Sequence, residues 1–175
     1  DITPAKGYDL PGLQGHPLWV VDKRTGFKES NPEGMAQGFD KACSMLPVIR
    51  KAHVFMEALS NRSVTELPDQ SKKKPLNRIT QILKRHRDVW SQQDDNIHAD
   101  FRPISVIITM LASLAYVEVV KSGKAYDNEF DLILDVIELM PHHIETNFDE
   151  VLITNPTMKP ENYAEKWNRV EGQEG

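Results

Sequence analysis

Cysteine is nearly absent from this 175-residue chain, Cys43 being the single one. One thiol excludes an intramolecular disulfide and suits a reducing cytoplasm. The apolar helical surroundings of Cys43 read it as a buried thiol rather than a nucleophile. Long hydrophobic runs are missing too. The longest, Val106 to Val120, is broken by Thr109, Ser113 and Glu118. It is too short and too polar for a bilayer, so no membrane partner is expected. No stretch reads as a secretory signal peptide. Positive charge is not in excess: 21 Lys and Arg face 26 Asp and Glu, a net charge of -5. No global basic field then draws in nucleic acid, and any polyanion contact must be local, as at Lys84 to Arg87, KRHR. His142 and His143 are adjacent, hence about 100° apart on a helix, and form no metal-binding pair.

What the chain does have is helical periodicity. From Pro75 to Trp90, the residues Leu76, Ile79, Ile82, Leu83, His86, Val89 and Trp90 form one stripe. Gln81, Lys84, Arg85 and Asp88 lie largely opposite, so one face packs into a core while the other offers cations. Ser30-Asn31-Pro32-Glu33 reads as a helix start, with Asn31 as cap, Pro32 first in the helix and Glu33 at its positive end. Pro47 is expected to kink or split that helix, with a second piece running to about Leu59. Pro103 opens a helix to Lys121 that is apolar almost all round and belongs inside a bundle. Phe130 to Met140 is a further amphipathic helix stopped by Pro141. Ile144 to Ile153 reads as a helix or extended turn, and Pro160 opens a last short helix with Tyr163 and Trp167 on one face. Short strands are expected at Asp1 to Ala5, at Leu18 to Val21 and at Phe27-Lys28. The expected fold is mainly α: short strands and loop over 1–29, then a helical domain, a bundle, over 30–175. Residue 1 is Asp, and Asp-Ile-Thr-Pro-Ala reads as the interior of a longer sequence, so a fragment is expected.

Ser105 carries a hydroxyl in the first turn of the Pro103 helix, where backbone N–H groups lack intrahelical partners and favour anions. Lys84 sits on the polar face of the preceding helix. If the two helices are antiparallel, Lys84 approaches the start of the second, and lysine, serine and a helix N-terminus together suit a triphosphate. The alternative is that Ser105 only caps its own helix. Thr109 and Ser113 continue that face and are expected to bond to carbonyls one turn back.

Three stretches carry a resemblance: KPLNRITQILKRHRD (Lys74 to Asp88), RPISVIITMLASLAY (Arg102 to Tyr116) and NPTMKPENYAEKWN (Asn155 to Asn168). Together they resemble the C-terminal half of bacterial cyclic-oligonucleotide synthases. These are the nucleotidyltransferases of anti-phage CBASS systems, relatives of cyclic GMP–AMP synthase and of 2′-5′-oligoadenylate synthase. The opening DITPA resembles the strand that supplies the family's third metal-binding carboxylate. The resemblance implies helices from the C-terminal half of a polymerase-β-like nucleotidyltransferase, with residual strands of its catalytic palm at 1–29. It implies that Asp1 is a catalytic and metal-binding residue for Mg²⁺ (or Mn²⁺), and that Lys84 and Ser105 bind the triphosphate of a nucleoside triphosphate (NTP) substrate. Asn162, Tyr163 and Trp167 match a signature read as structural, with Trp167 pinning the last helix. Where oligoadenylate synthases carry an arginine one turn before the lysine, this chain has Gln81; Arg85, Arg87 and Arg102 are the substitutes at hand.

The family's Gly-Ser turn and Asp-x-Asp pair are absent from the sequence. The resemblance therefore implies a further partner, the missing palm half of the same protein, and a chain that is inactive alone. The intact protein is expected to make cyclic di- or trinucleotides. Two other readings stand beside this one: a non-catalytic helical module that binds a regulatory protein partner, and a nucleotidyltransferase making linear oligonucleotides.

Overall fold

A computed structural model describes residues 4–22, 26–50, 74–93 and 98–169. Asp1 and most of the expected second piece of the first helix lie outside the described residues. Within them the chain forms four α-helices and nine short strands, the latter in one three-stranded and three two-stranded sheets. The architecture is thus mixed α and β, which corrects the expectation of a mainly α bundle.

Helix α1 (Pro32–Ser44) starts as the sequence requires. Asn31 Oδ1 accepts from Gly34 N at 3.0 Å, Pro32 opens the helix and Glu33 lies in its first turn. After Met45 the chain turns extended, and Val48–Ile49 (β4) pairs in parallel with Ala125–Tyr126 (β5). So the helix, expected to kink or split at Pro47, is not continued through it: it ends at Ser44 and an extended stretch follows.

Helix α3 (Ser105–Lys121) is the central element. It packs against α1, against α2 (Pro75–Ser91) and against α4 (Glu129–Leu139). Its near-uniform hydrophobicity serves two clusters. Ala112, Ala115, Tyr116 and Val119 join Ala42, Cys43, Leu76, Ile79, Tyr126, Leu132 and Val136. Ile107, Met110 and Leu111 join Ile153 and Ala164 from the C-terminal segment. Each fully buried Leu or Ile contributes about 1.5–3 kcal/mol relative to exposure. The Tyr116 hydroxyl, fully buried, donates to Met45 O at 2.8 Å and so satisfies a carbonyl left open where α1 ends. Leu76 and Ile79, early in α2, meet Tyr116 and Val119, late in α3. Arg87, late in α2, meets Ser105. The two helices are therefore antiparallel.

The buried face of α2 is rotated from the expected stripe. Leu76, Ile79 and Thr80 are buried, whereas Ile82 and Val89 are 49% and 47% exposed and His86 is exposed. Two polar residues take the inner positions. Thr80 Oγ1 satisfies itself on Asn77 O at 3.0 Å, and Arg87 lies partly buried toward α3. Hydrophobic spacing does not register polar groups whose partners come from a neighbouring turn or helix.

Of the two C-terminal stretches, the one expected as a helix or extended turn is extended, and the one expected as a helix from Pro160 is strand and turn. Glu145–Asn147 (β6) and Glu150–Leu152 (β7) form a hairpin, as do Thr154–Asn155 (β8) and Met158–Asn162 (β9), with turns over 163–168. In the β6–β7 turn the positive φ of 53° falls on Phe148, between Asn147 and Asp149, and not on the glycine or asparagine usual at such a position. At the other end, Ala5–Gly7 (β1), Leu18–Asp22 (β2) and Gly26–Ser30 (β3) form the antiparallel sheet β1-β2-β3. β3 packs against β9. The loop before β2 closes on α1 so tightly that only glycine fits at 15 and 34. Gly15 has φ 81°, and a Cβ on it would collide with the Gly34 backbone.

Candidate functional site

The antiparallel packing of α2 on α3 brings the later turns of α2 to the start of α3, where Ser105 meets Arg87. Arg87 Nη1 donates to Ser105 Oγ at 3.1 Å and to Pro103 O at 3.0 Å. Its Nε and Nη2 donate to Asp88 Oδ1 at 2.8 and 2.6 Å. Arg87, then, and not Lys84, touches Ser105. Helix α3 has Ile104 at its cap position and no side-chain cap, so Ser105 does not cap its own helix. Thr109 Oγ1 and Ser113 Oγ bond to the carbonyls one turn back, at 2.8 and 2.9 Å, as expected.

Lys84 is half-buried one turn before Arg87 and makes no hydrogen bond or ion pair among the described residues. Its pKa lies below that of an ordinary lysine, first because burial disfavours the ammonium and second because the Arg87 charge repels it. Two neighbouring cations, with Lys84 lacking a counter-ion, form a local electrostatic deficit that an anion would relieve. Beside Arg87 opens a cleft of about 480 Å³, lined by Arg87, Asp88, Asp100, Arg102, Ser105 and Lys166, among others; Lys84 is not part of that lining. Arg87 and Arg102 are thus the members of the suggested arginine set that border it. Lys166 was not foreseen; no signal in the sequence ties position 166 to position 105.

The C-terminal signature acts on this cleft from behind. Trp167 Nε1 donates to Phe101 O at 3.0 Å and Lys166 Nζ to Asp100 O at 2.5 Å, fastening the segment that leads into α3. The expectation that Trp167 pins the last segment to the helices holds, although that segment is not a helix. Asn162 Oδ1 accepts from Ile153 N and Ala164 N at 2.9 and 3.0 Å, and Asn168 receives Val151 N at 2.8 Å. These asparagines stand in for missing strand partners. Tyr163, with its hydroxyl on Glu161 Oε2 at 3.3 Å, has its pKa raised by burial first and by that carboxylate second.

Asp1 lies outside the described residues. Among the described residues no group of three or more His, Cys, Asp or Glu stands together as a metal site. His143 Nε2 lies 3.3 Å from Glu118 Oε2 without hydrogen-bond alignment. No helix among the described residues is long and apolar enough to cross a membrane.

No family model matches the chain. Over 141 residues it is 26% identical to a c-di-GMP synthase of Roseivirga ehrenbergii, covering 79% of this chain and 33% of that protein. The chain thus spans about a third of the length of the curated relative it matches.

Proposed function

We propose that this chain contributes the triphosphate-binding half of the active site of a nucleotidyltransferase that makes cyclic di- or trinucleotides from NTPs. The observation that carries the reading is the half-buried Lys84, without a partner among the described residues, one turn from Arg87, which itself reaches the start of a helix whose Ser105 hydroxyl is free to donate. The match to a c-di-GMP synthase supports it. In the reaction a ribose hydroxyl attacks the α-phosphorus of an NTP. A new oxygen–phosphorus bond forms, the bond from the α-phosphorus to the bridging oxygen breaks, pyrophosphate leaves and the hydroxyl proton passes to solvent. Lys84 offsets the charge of the β- and γ-phosphates, and Ser105 and the amides opening α3 donate to their oxygens. A role in anti-phage defence, Asp1 as the catalytic carboxylate for Mg²⁺ or Mn²⁺, and a palm half beyond these residues belong to the same proposal. The chain alone is expected to be inactive.

The test uses the whole protein that carries this chain, incubated with Mg²⁺ and all four NTPs. Pyrophosphate release with a cyclic product is expected, and Lys84→Ala should lower it by about tenfold or more. Linear products alone, or turnover indifferent to Lys84, would overturn the reading.

A further inference from the structure

Ser105 presents a question of proton placement. A serine hydroxyl has one O–H and two lone pairs. Arg87 Nη1 occupies a lone pair at 3.1 Å. No described group accepts the Ser105 proton, since α3 has no side-chain cap and Thr109 takes the Ser105 carbonyl, not its hydroxyl. The hydroxyl is exposed at the cleft and is therefore left as a donor facing it. Arg87 itself has little freedom to turn. Its side chain is 15% exposed, Asp88 Oδ1 receives two of its N–H groups and Pro103 O receives a third contact.

We propose that Arg87, locked by Asp88, is a positioning residue that makes the Ser105 hydroxyl a dedicated donor to a phosphate oxygen of the bound nucleotide. This rests on the triphosphate reading above and adds to it the chain Asp88–Arg87–Ser105. The planar fork of arginine is needed because three acceptors at fixed angles are served at once. A lysine is a single point charge and cannot serve them together. Asp88 acts through orientation; at 44% exposure its ion pair is screened and adds little as charge.

The experiment titrates inorganic tripolyphosphate into the whole protein that carries this chain. That probe has the phosphates without a base and without turnover. Ser105→Ala and Arg87→Met should each weaken binding by about tenfold, and Asp88→Asn by a smaller factor. The double variant Arg87→Met/Ser105→Ala should be no weaker than the worse single variant, because both remove one interaction. Arg87→Lys should fall with Arg87→Met, although it keeps the charge. Where Arg87→Met lowers thermal stability, Arg87→Lys and Asp88→Asn carry the test. Lys84-dependent binding with multiplying effects, or with full affinity in Arg87→Lys, overturns the positioning role and leaves the triphosphate reading intact. Absence of binding by the unaltered protein, or binding indifferent to Lys84→Ala, overturns both.

Discussion

Two polar clusters of the described structure, one around Glu161 and one at Arg87, are built on opposite principles. One is the knot around Glu161, where Ser30 Oγ, Asn155 Nδ2, Asn31 N and Tyr163 OH reach its carboxylate at 2.6, 2.7, 3.2 and 3.3 Å. Asn31 and Asn155 are fully buried and bonded at both ends of their amides. The other is the group at Arg87, where Ser105 keeps a spare proton and Lys84, one turn away, has no partner among the described residues. A fully satisfied buried network stiffens a fold. A half-buried cation without a counter-ion costs stability and is the expected mark of a site waiting for an anion. The difference fits a structural role for the first cluster and the proposed phosphate binding for the second.

The largest expected effect lies in the knot. Glu161→Ala leaves four donors facing a void, at about 1–3 kcal/mol for each one that stays buried and unsatisfied. We expect a loss of at least about 3 kcal/mol in urea unfolding, on that same scale. A change below about 0.5 kcal/mol, the range of ordinary surface substitutions, would show the knot to be ornamental and erase the contrast.

At the second cluster the effects are expected on binding and not on folding. Lys84→Met should weaken tripolyphosphate binding by about tenfold. It should also raise unfolding stability at neutral pH slightly, by up to about 0.5 kcal/mol. The sign follows from the lowered pKa. The folded state binds the Lys84 proton less readily than the unfolded chain, so this residue costs stability at neutral pH. That cost is relieved as pH climbs through the lowered value toward the ordinary 10.5. The advantage of Lys84→Met should therefore shrink at alkaline pH. Measured destabilisation at neutral pH would mean that Lys84 has a structural partner.

Titration of Lys84 itself sharpens the contrast further. Arg87→Met should move the Lys84 midpoint upward, followed through the carbon next to its ammonium by NMR, since one of the two causes of its lowering is removed. An unmoved midpoint would show that the two cations do not feel each other.

The smallest effect belongs to the rim of the knot, where His16 bonds Glu33 beside the glycine loop. That hydrogen bond raises the His16 pKa and lowers that of Glu33. The His16 contribution is full below its ordinary 6.5 and is lost as pH rises through the raised folded value. The Glu33 contribution is full above its ordinary 4.5 and is lost as pH falls through the lowered folded value. The difference in Tm between the unaltered protein and His16→Ala should peak between those limits and fade on both sides. A pH-independent difference would remove the bridge from the account.

Much of this was legible in the sequence, and unevenly so. The Asn31-Pro32-Glu33 start, the uniformly apolar α3 and the strands at Leu18 and Phe27 were readable because each depends on neighbours within a few residues. Lys84 and Ser105 were singled out from their types and from the helix start between them. The face of α2 that turns inward was misread, because Thr80 and Arg87 are buried by virtue of partners at Asn77, Pro103 and Ser105. The C-terminal helix expected from Pro160 was misread for the same reason on a longer scale. Its segment is held extended by Asn162 and Asn168, whose amides reach back 9 and 17 residues.

The sequence alone therefore determined the capped start of α1 and the apolar character of α3, whereas the striped stretch Pro75 to Trp90 is not the central helix. Capping, periodicity and residue type are local properties. Only the tertiary structure decided that Arg87 rather than Lys84 grips Ser105, that Asp88 holds Arg87, and that Trp167 and Lys166 fasten the approach to α3. Those choices depend on which side chains meet across two packed helices and a returning C-terminal segment, and a hydrogen bond over 66 residues leaves no periodic trace in the chain.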